Sequence, residues 1–350
     1  MSAEMFVLVL ALMLVPYLFW GFIKLPDERW QIIASVPRRK KASDLWDGLN
    51  LTYYGFFSAN AYVIAVMILL VLMKSVGVPL CGILLMMVVM FALCIPASRL
   101  VARAVEGKQF TFTVAGAAFI GFIVLLPVVW LINLTAGRIM AFHLPYLPAL
   151  ASAAVAYSLG EGTGRLACIS FGCCYGRALA DVHPLVRRFF ARFNFIFTGK
   201  TKKIAYESSL DGQKVLPVQA LTALFYTVSG LAGIYLFLKG WFGSAFLLNL
   251  VVTQVWRILS EMVRADYRGR GRLSPYQIMS LLSLPYAVAL LILLPGSAIQ
   301  DIDLGQGLRF LWDPVIILIL QLLWVAIFVR TGRSNVTGAT LSLHVREDSI

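Results

Sequence analysis

Residues 4–23 read EMFVLVLALMLVPYLFWGFI, an apolar run whose one charged residue stands at its start. About 20 apolar residues in a helix are the length needed to cross the hydrocarbon layer of a bilayer. The 350-residue chain is 60% hydrophobic and contains further runs of this kind at 52–73, 79–98, 112–134, 144–160, 216–238, 243–263, 275–295 and 311–330. The sequence therefore predicts an all-α polytopic membrane protein with eight or nine transmembrane helices.

Two of these runs need separate interpretation. The first has no small-residue cleavage site and continues into FIKLPDERW, so we predict a retained helix rather than a cleaved signal peptide. The run at 144–160 is short and is either a spanning helix or a partly re-entrant one, which gives the total of eight or nine helices.

The net charge of +13 is concentrated in three segments, which nine helices would place on one face of the membrane. They contain Arg38, Arg39, Lys40 and Lys41; Arg187, Arg188, Arg192, Lys200, Lys202 and Lys203; and Arg264, Arg268, Arg270 and Arg272. Beside membrane helices, basic clusters favour anionic lipid headgroups, so we predict no nucleic-acid partner. The positive-inside rule makes this face cytoplasmic.

The longest polar interval, 177–215, allows two interpretations. Its first half alternates aromatic and basic residues, as in an amphipathic helix at the bilayer surface. It is equally typical of a small folded loop with a solvated basic rim. The polar tail at 332–350 is expected to be mobile.

Residues 164–177 read GRLACISFGCCYGR and contain three of the five cysteines. The C-x4-C-C spacing lacks the C-x2-C pairs of common zinc sites, so we predict no metal site and no cofactor. A disulfide between adjacent Cys173 and Cys174 would be strained. A nucleophilic cysteine in the field of Arg165 or Arg177 is one alternative, and packing in a tight turn is the commoner role.

Ionisable residues at membrane depth are expensive and mark candidate sites. Arg165 is expected at the end of a helix, inside a glycine-rich turn, Arg99 ends the third apolar run, and Arg257, Glu261 and Arg264 follow one another at helical spacing. Guanidinium groups bind phosphate oxygens with paired hydrogen bonds, so this set predicts a phospholipid headgroup site. Arg257 and Glu261 form a structural pair in the alternative interpretation.

Five segments, taken in order, resemble motifs of the prolipoprotein diacylglyceryl transferase family. Gly164, Arg165, Leu166, Gly172, Tyr175 and Gly176 are in register with its Gly-Arg-Ile-Gly-Asn-Phe-x-Asn-Gly-Glu-x-x-Gly loop. Tyr53-Tyr54-Gly55 resembles its Trp-Tyr-Gly, and PASRL, with Arg99, resembles its Gly-Ala-Arg-Leu. LPVQALT, with Pro217 and Gln219, is similar to its His-Pro-x-Gln-Leu-Tyr-Glu. RILSEMVRAD and the later Gln277 are similar to its Arg-x-x-x-Glu-Phe-x-Arg-x-x-Asp and Gly-Gln-x-x-Ser.

The departures from the family pattern fall on polar residues. The family's loop asparagine and glutamate fall on Cys168 and Cys173, and its two motif histidines fall on Gly116 and Leu216. The phosphate-binding positions are retained, whereas the proton-handling positions are not. The cysteines therefore either alter the chemistry or mark its loss, and the retained arginines favour altered chemistry.

The resemblance implies a transferase of the bacterial inner membrane. Its members move a diacylglyceryl group from phosphatidylglycerol to the cysteine thiol of a lipobox-containing prolipoprotein and release glycerol phosphate. The catalytic residues it implies here are Tyr54, Arg165, Arg257, Glu261 and Cys173. The expected substrate-binding residues are Arg99, Gly164, Gly172, Gly176, Gln219, Arg264 and Gln277. The base that deprotonates the thiol is left open between Glu261, Tyr54, Cys173 and the arginine field itself.

Three alternatives to this function remain: a different acceptor, a non-catalytic protein that binds anionic lipid, and, with weaker support, a transporter. The resemblance places the basic face outside the cytoplasm, and we prefer this orientation because long loops follow the charge rule poorly. We predict an added helix and basic loop at 1–50, the transferase-like domain at 51–297 and an added helix and tail at 298–350. The transferase-like domain carries 177–215 as a cap.

Overall fold

The computed structural model describes residues 1–106, 114–266, 273–294 and 301–350. Within them the helices are α1 (Ala3–Lys24), α2 (Tyr53–Ser75), α3 (Leu80–Glu106), α4 (Val114–Leu134), α5 (Ala136–Ile139), α6 (Tyr146–Phe171), α7 (Pro184–Phe190), α8 (Lys203–Ser208), α9 (Val218–Leu238), α10 (Phe242–Val263), α11 (Pro275–Leu293), α12 (Leu304–Leu311) and α13 (Pro314–Thr331). The strands are β1 (Ile32–Lys40), β2 (Leu45–Thr52), β3 (Phe195–Ile196), β4 (Lys214–Val215) and β5 (Arg333–Ser342). The chain is 70% helical, which confirms the predicted fold class.

Eight helices in the described residues are long and apolar enough to cross a membrane: α1, α2, α3, α4, α9, α10, α11 and α13. The ninth long helix, α6, is continuous over Tyr146–Phe171, without the break of a re-entrant segment in these residues. At about 1.5 Å per residue its 26 residues extend about 39 Å, enough to span the bilayer. Glu161 and Arg165 lie in its second half, and its apolar run therefore ends before the helix does.

Small residues allow α6 to pack closely in the centre of the bundle. A Cβ on Gly160 would lie 2.8 Å from the Cβ of Ala65 on α2. A Cβ on Gly162 would lie 2.9 Å from the Thr227 hydroxyl on α9. Close backbone approach is the usual source of helix–helix packing in lipid, where the hydrophobic effect does not drive association. The buried core is continuous along α2, α6 and α9.

A small sheet joins the two ends of the chain. β1 and β2 form an antiparallel hairpin, and β5 pairs antiparallel with β2 to give the order β1-β2-β5. The basic residues at 38–41 thus lie at a hairpin rather than in an open loop. The expectation of a mobile tail was wrong for Arg333–Ser342, which is strand β5.

Asn60 on α2 links both terminal helices to the bundle. Its Nδ2 donates to the Tyr17 hydroxyl of α1 at 3.2 Å, and its Oδ1 accepts from the Trp324 indole of α13 at 2.7 Å. Gly55, one turn away, lies against the end of α13, where the Thr52 hydroxyl donates to the Gly332 carbonyl at 2.9 Å.

The segment 177–215 forms a folded cap over the ends of α1, α2 and α6. Phe195, Phe197 and Val215 are buried there in one cluster with Leu25 and Leu166. The folded-loop interpretation thus describes its second half, which contains β3, α8 and β4.

The first half of the cap has an exposed apolar surface. Leu185, Phe189 and Phe193 are each at least 70% exposed around the basic residues of α7. This arrangement is typical of a helix at the bilayer interface.

Contacts among the described residues put the cap, the hairpin and the end of α10 at one end of the bundle, which we call the cap side. The described members of the three predicted basic segments lie there, as expected from the sequence. Their members Arg268, Arg270 and Arg272 lie outside the described residues.

We expect Gly55→Ala to detach the C-terminal helix from α2. The new Cβ would stand 2.1 Å from the Gly332 Cα, and backbone atoms cannot move aside as a side chain would. Overpacking of this kind costs about 1–3 kcal/mol. The apparent Tm in detergent should fall and the tail should become protease-sensitive. Gly338→Ala is the matched control, since nothing lies within 4 Å of the Cβ it would add. Equal Tm values for the two variants would contradict this packing.

Candidate functional site

A tight turn after α6 builds one wall of the site. Gly172 ends the helix with a left-handed φ of 73°, and its N–H donates to the Cys168 carbonyl at 2.9 Å. The Cys173 N–H donates to the same carbonyl at 3.0 Å. These paired bonds turn the chain back onto α6, as in the αL caps that commonly end helices.

The next residues pair with the end of α10. The Arg177 N–H donates to the Val263 carbonyl at 3.0 Å, and the Ala265 N–H donates to the Tyr175 carbonyl at 3.1 Å. The turn is therefore fixed to two helices, and the side chains of α6 and α10 face each other beneath it.

One carboxylate, Glu161, lies between two arginines in the bundle. It forms a close hydrogen-bonded ion pair with Arg165 one turn along α6, and its Oε1 lies 3.9 Å from Arg257 Nη2 on α10. The three side chains are 9–13% exposed. Charges this buried are tolerated only when paired, so Glu161 makes both guanidiniums possible.

A second ionic group closes the cap side of the site. Arg264 donates from Nε and Nη2 to both oxygens of Asp266, at 2.8 and 2.7 Å. Its Nη1 lies 3.8 Å from Glu261, which also accepts from the Ser274 hydroxyl at 3.4 Å. The N–H donors of the Arg264 guanidinium are thus largely occupied by carboxylates of the protein.

Arg165 and Arg257 are better placed to bind an anion. Together they share one carboxylate, which leaves a formal excess of one positive charge. The Nε of Arg165 is buried and has no hydrogen-bond partner among the described residues, whereas buried polar groups are normally paired. Arg257 also donates to the Tyr157 hydroxyl. This combination suits a phosphate or carboxylate oxygen.

The thiols of Cys168, Cys173 and Cys174 lie beside these arginines. Their sulfur atoms are all within 4.8 Å of one another, and Arg165 Nη1 lies 3.9 Å from the Cys168 sulfur. Hydrogen bonds from Cys168 and Cys173 hold the pKa of the Cys174 thiol well below its usual range, with further lowering by Arg264 and Arg165. The cluster is electrostatically part of the site.

Two further predicted residues approach this cluster. Gln219 is 1% exposed and donates from Nε2 to the Cys173 carbonyl at 2.8 Å, while its Oε1 has no hydrogen-bond partner in the part of the chain that the structure describes. Tyr54 packs edge-on against Phe171, at 5.6 Å between ring centroids, and is electrostatically coupled to all three cysteines. Both therefore line the site.

Other predicted residues have structural contacts. Gln277 caps α11 through Ser274 and donates to the Ile258 carbonyl at 3.1 Å, so both ends of its amide are occupied. A Cβ on Gly176 would lie 2.5 Å from the Leu216 carbonyl, and one on Gly172 would lie 3.0 Å from the Lys202 Cβ. At these two glycines, the space that a side chain would occupy is taken by other parts of the protein.

Gly164 and Arg99 are the remaining predicted residues. Gly164 lies on α6 facing Ala61, with 3.5 Å between an added Cβ and the alanine Cβ. Arg99 is exposed on α3, and in the described part of the chain no hydrogen bond or ion pair joins it to the other arginines. Of the arginines expected to converge, Arg165 and Arg257 meet at Glu161 and Arg264 lies within electrostatic range of Arg165, whereas no described contact brings Arg99 to them.

The sequence interpretation missed Glu161, Tyr157 and Asp266. Glu161 lies one residue beyond the predicted apolar run, four residues before Arg165, and that spacing within a membrane helix was the available signal. Arg257 pairs with Glu161, and among the described residues no ion pair joins it to Glu261. The alternative of a structural Arg257–Glu261 pair was therefore wrong.

Lys202 supports the turn from the cap. Its ammonium is fully buried and donates to the Ser170 carbonyl at 2.7 Å and to the Leu25 carbonyl at 3.1 Å. Burial lowers the pKa of Lys202 to about 8 because the charged form loses its hydration. This one side chain joins the ends of α1 and α6.

We expect Glu161→Gln to destabilise the protein by about 3–5 kcal/mol, because two buried guanidiniums lose their shared counter-charge. Thermal unfolding in detergent measures the loss, and adding Arg257→Gln should recover part of it. Glu4→Gln, which removes an exposed ion pair with Lys239, is the control and should leave the Tm unchanged. A Tm loss no larger than the control's would show that Glu161 does not balance the arginines.

We expect the stability gap between the native chain and Lys202→Met to depend on pH. Between pH 8 and 10.5 Lys202 is protonated in the unfolded chain and deprotonated in the folded chain. The free energy of unfolding of the native chain therefore rises with pH across this window. The rise corresponds to about 3 kcal/mol across this window. Chemical unfolding at pH 7 and pH 10 measures it, and an unchanged gap between the two pH values would refute the lowered pKa.

Comparison with known families adds an independent finding. Residues 41–294 match the family model for prolipoprotein diacylglyceryl transferase. A comparison with curated protein sequences gives no match. The family match includes the α6 turn, the cap and the three buried arginines, and it leaves α1, α12, α13 and β5 outside. It confirms the resemblance found in the motifs: the chain belongs to the prolipoprotein diacylglyceryl transferase family.

Proposed function

We propose that this chain transfers a diacylglyceryl group from phosphatidylglycerol to an acceptor thiol, with a lipobox cysteine as the first acceptor to test. The family is one of transferases, which supports an enzyme. The observation that carries the donor assignment is the buried pair Arg165 and Arg257, which share Glu161, with an Arg165 N–H that has no partner within the described ranges.

The phosphate of the donor lipid would bind between these two arginines. Arg257 stands six residues before the end of α10 and Arg165 six residues before the end of α6, about 9 Å below the helix ends. At that depth a bound headgroup would lie below the helix ends, level with the first turns of apolar helix surface. A guanidinium matches phosphate in both charge and geometry, which a lysine does not.

The reaction has a defined balance of bonds. The acceptor sulfur attacks the diacylglyceryl carbon attached to the phosphate oxygen, a C–S bond forms and that C–O bond breaks. The electron pair leaves on the phosphate oxygen, and glycerol phosphate is released. Arginines fixed beside this oxygen stabilise the developing charge more than they stabilise the ground state. The thiol proton passes to a base before or during attack.

Tyr54 and Glu261 are our two candidates for the base. Tyr54 lines the cysteine side of the site, and Glu261 lies on the cap side, 3.8 Å from Arg264. Gly116 stands where the family has its motif histidine, so this chain needs a different proton acceptor. Gln219 and the glycines of the α6 turn would line the part of the site that receives the acceptor thiol.

The family also suggests where the reaction takes place. We propose a multi-pass protein of the bacterial inner membrane, with the cap side outside the cytoplasm, where lipobox cysteines emerge. The transferase-like domain at 51–297 would be the catalytic unit, carrying added helices on both flanks.

Gly116 and the cysteines at 168 and 173 favour a second candidate, a lipid-binding protein without catalysis. In that case the arginines hold an anionic headgroup and no bond is broken. The experiment below separates the two.

The test uses purified full-length chain in phosphatidylglycerol nanodiscs with a lipobox peptide. Mass spectrometry is expected to detect a diacylglyceryl adduct on the peptide cysteine, and an enzymatic assay to detect released glycerol phosphate. Arg257→Lys, which keeps the charge and loses the planar fork, should reduce turnover about 100-fold. Arg346→Ala removes an exposed arginine of the tail and is the matched control.

The outcomes discriminate between the candidates. Loss of turnover with retained lipid binding in Tyr54→Phe or Glu261→Gln identifies the base. Glycerol phosphate without a peptide adduct means a different acceptor. Bound phosphatidylglycerol with neither product overturns the transferase proposal in favour of lipid binding alone.

A further inference from the structure

The three cysteines of the α6 turn form a cluster that the proposed transfer reaction does not use. The spacing C-x4-C-C argued against a metal site, since zinc sites commonly use C-x2-C pairs. The fold changes this conclusion, because the left-handed residue Gly172 brings Cys173 and Cys174 back over Cys168. The three sulfur atoms lie within 4.8 Å of one another.

This distance is close to what one metal ion requires. Metal–sulfur bonds of about 2.3 Å place three sulfurs around one ion about 4 Å apart. The cluster therefore needs to contract by less than about 1 Å, which side-chain rotation at three Cβ atoms can supply. All three cysteines are partly exposed, so an ion can reach them.

The backbone at the cluster is held in an unusual conformation. Cys174 has a φ of 58°, in the left-handed region that residues with a side chain rarely adopt. Such a residue costs about 1–3 kcal/mol and persists where its surroundings fix it. Here the Cys173 N–H donates to the Cys168 carbonyl at 3.0 Å, and the Tyr175 carbonyl accepts from Ala265 at 3.1 Å. The thiols are held together by the fold before any ligand binds.

The charges around the cluster suit an anionic metal–thiolate complex. Three thiolates around a monovalent ion carry a net charge of −2. Arg165 Nη1 lies 3.9 Å from the Cys168 sulfur. Arg264, although paired with Asp266, is also within electrostatic range of Cys174. Such neighbouring groups orient ligands and stabilise the complex, as outer-shell partners do in metal proteins.

The number and type of donors select the metal. Among the described residues, no histidine or carboxylate joins the three cysteines as a fourth ligand in the cluster. Zinc takes four ligands in structural sites, whereas thiolate ligands favour Cu(I), which accepts three.

We propose that Cys168, Cys173 and Cys174 bind one Cu(I) ion as a three-coordinate thiolate site. Binding replaces the thiol protons by metal–sulfur bonds, the protons go to solvent, and copper remains in the +1 state, so no oxidant or reductant is needed. This proposal is independent of the transfer reaction and of the identity of its acceptor.

The test is an anaerobic Cu(I) competition with the chromophoric chelator bicinchoninic acid, using the full-length chain in detergent. We expect one equivalent of Cu(I) to leave the chelator, with thiolate-to-copper absorption in the near ultraviolet. Cys168→Ser and Cys174→Ser should each weaken binding at least about 10-fold, the lower range seen on losing a metal-site partner. Cys81→Ser and Cys94→Ser are matched controls outside the cluster and should bind as the native chain does.

X-ray absorption of the copper-loaded native chain provides a second readout that needs no variant. Three sulfur neighbours and no nitrogen or oxygen support the site. Retention of copper by the chelator, nitrogen or oxygen ligation, or equal loss of binding in Cys94→Ser and Cys168→Ser would each overturn the proposal. Zinc bound at one equivalent while Cu(I) stays on the chelator would overturn the choice of metal.

Discussion

The ionic contact of Glu161 with Arg165 and Arg257 is the constraint on which the site depends. A guanidinium cannot remain among transmembrane helices without a counter-charge, and here one carboxylate serves two of them. This sharing requires α6 and α10 to lie side by side at one depth. The two guanidiniums and the one carboxylate together carry a net positive charge, which favours an anionic ligand over a neutral one.

The turn after α6 connects this ionic contact to α10 and to the cap. Gly172 allows the chain to reverse, the residues after it pair with the end of α10, and buried Lys202 holds the carbonyl of Ser170 from the cap. The same reversal collects the three thiols beside Arg165. Arginines and cysteines thus share one local geometry, although they suit different ligands.

The segments outside the family match are attached by specific polar contacts rather than by composition alone. Asn60 bonds to both α1 and α13, and Thr52 bonds to the end of α13. Because an unpaired amide in hydrocarbon is costly, these contacts fix the position of helices whose surfaces are otherwise apolar. The β5 strand then completes a sheet on the cap side.

The sequence by itself determined the membrane class, the position of nearly every spanning helix, the family and the candidate arginines. Each depends on local composition or on short motifs, which the chain displays without folding. The tertiary structure decided that Arg257 pairs with Glu161, that Gln277 caps a helix, that the tail is a strand and that three cysteines meet. These depend on contacts between distant residues, such as Thr52 and Gly332, which are 280 positions apart, and no local pattern encodes which partners meet.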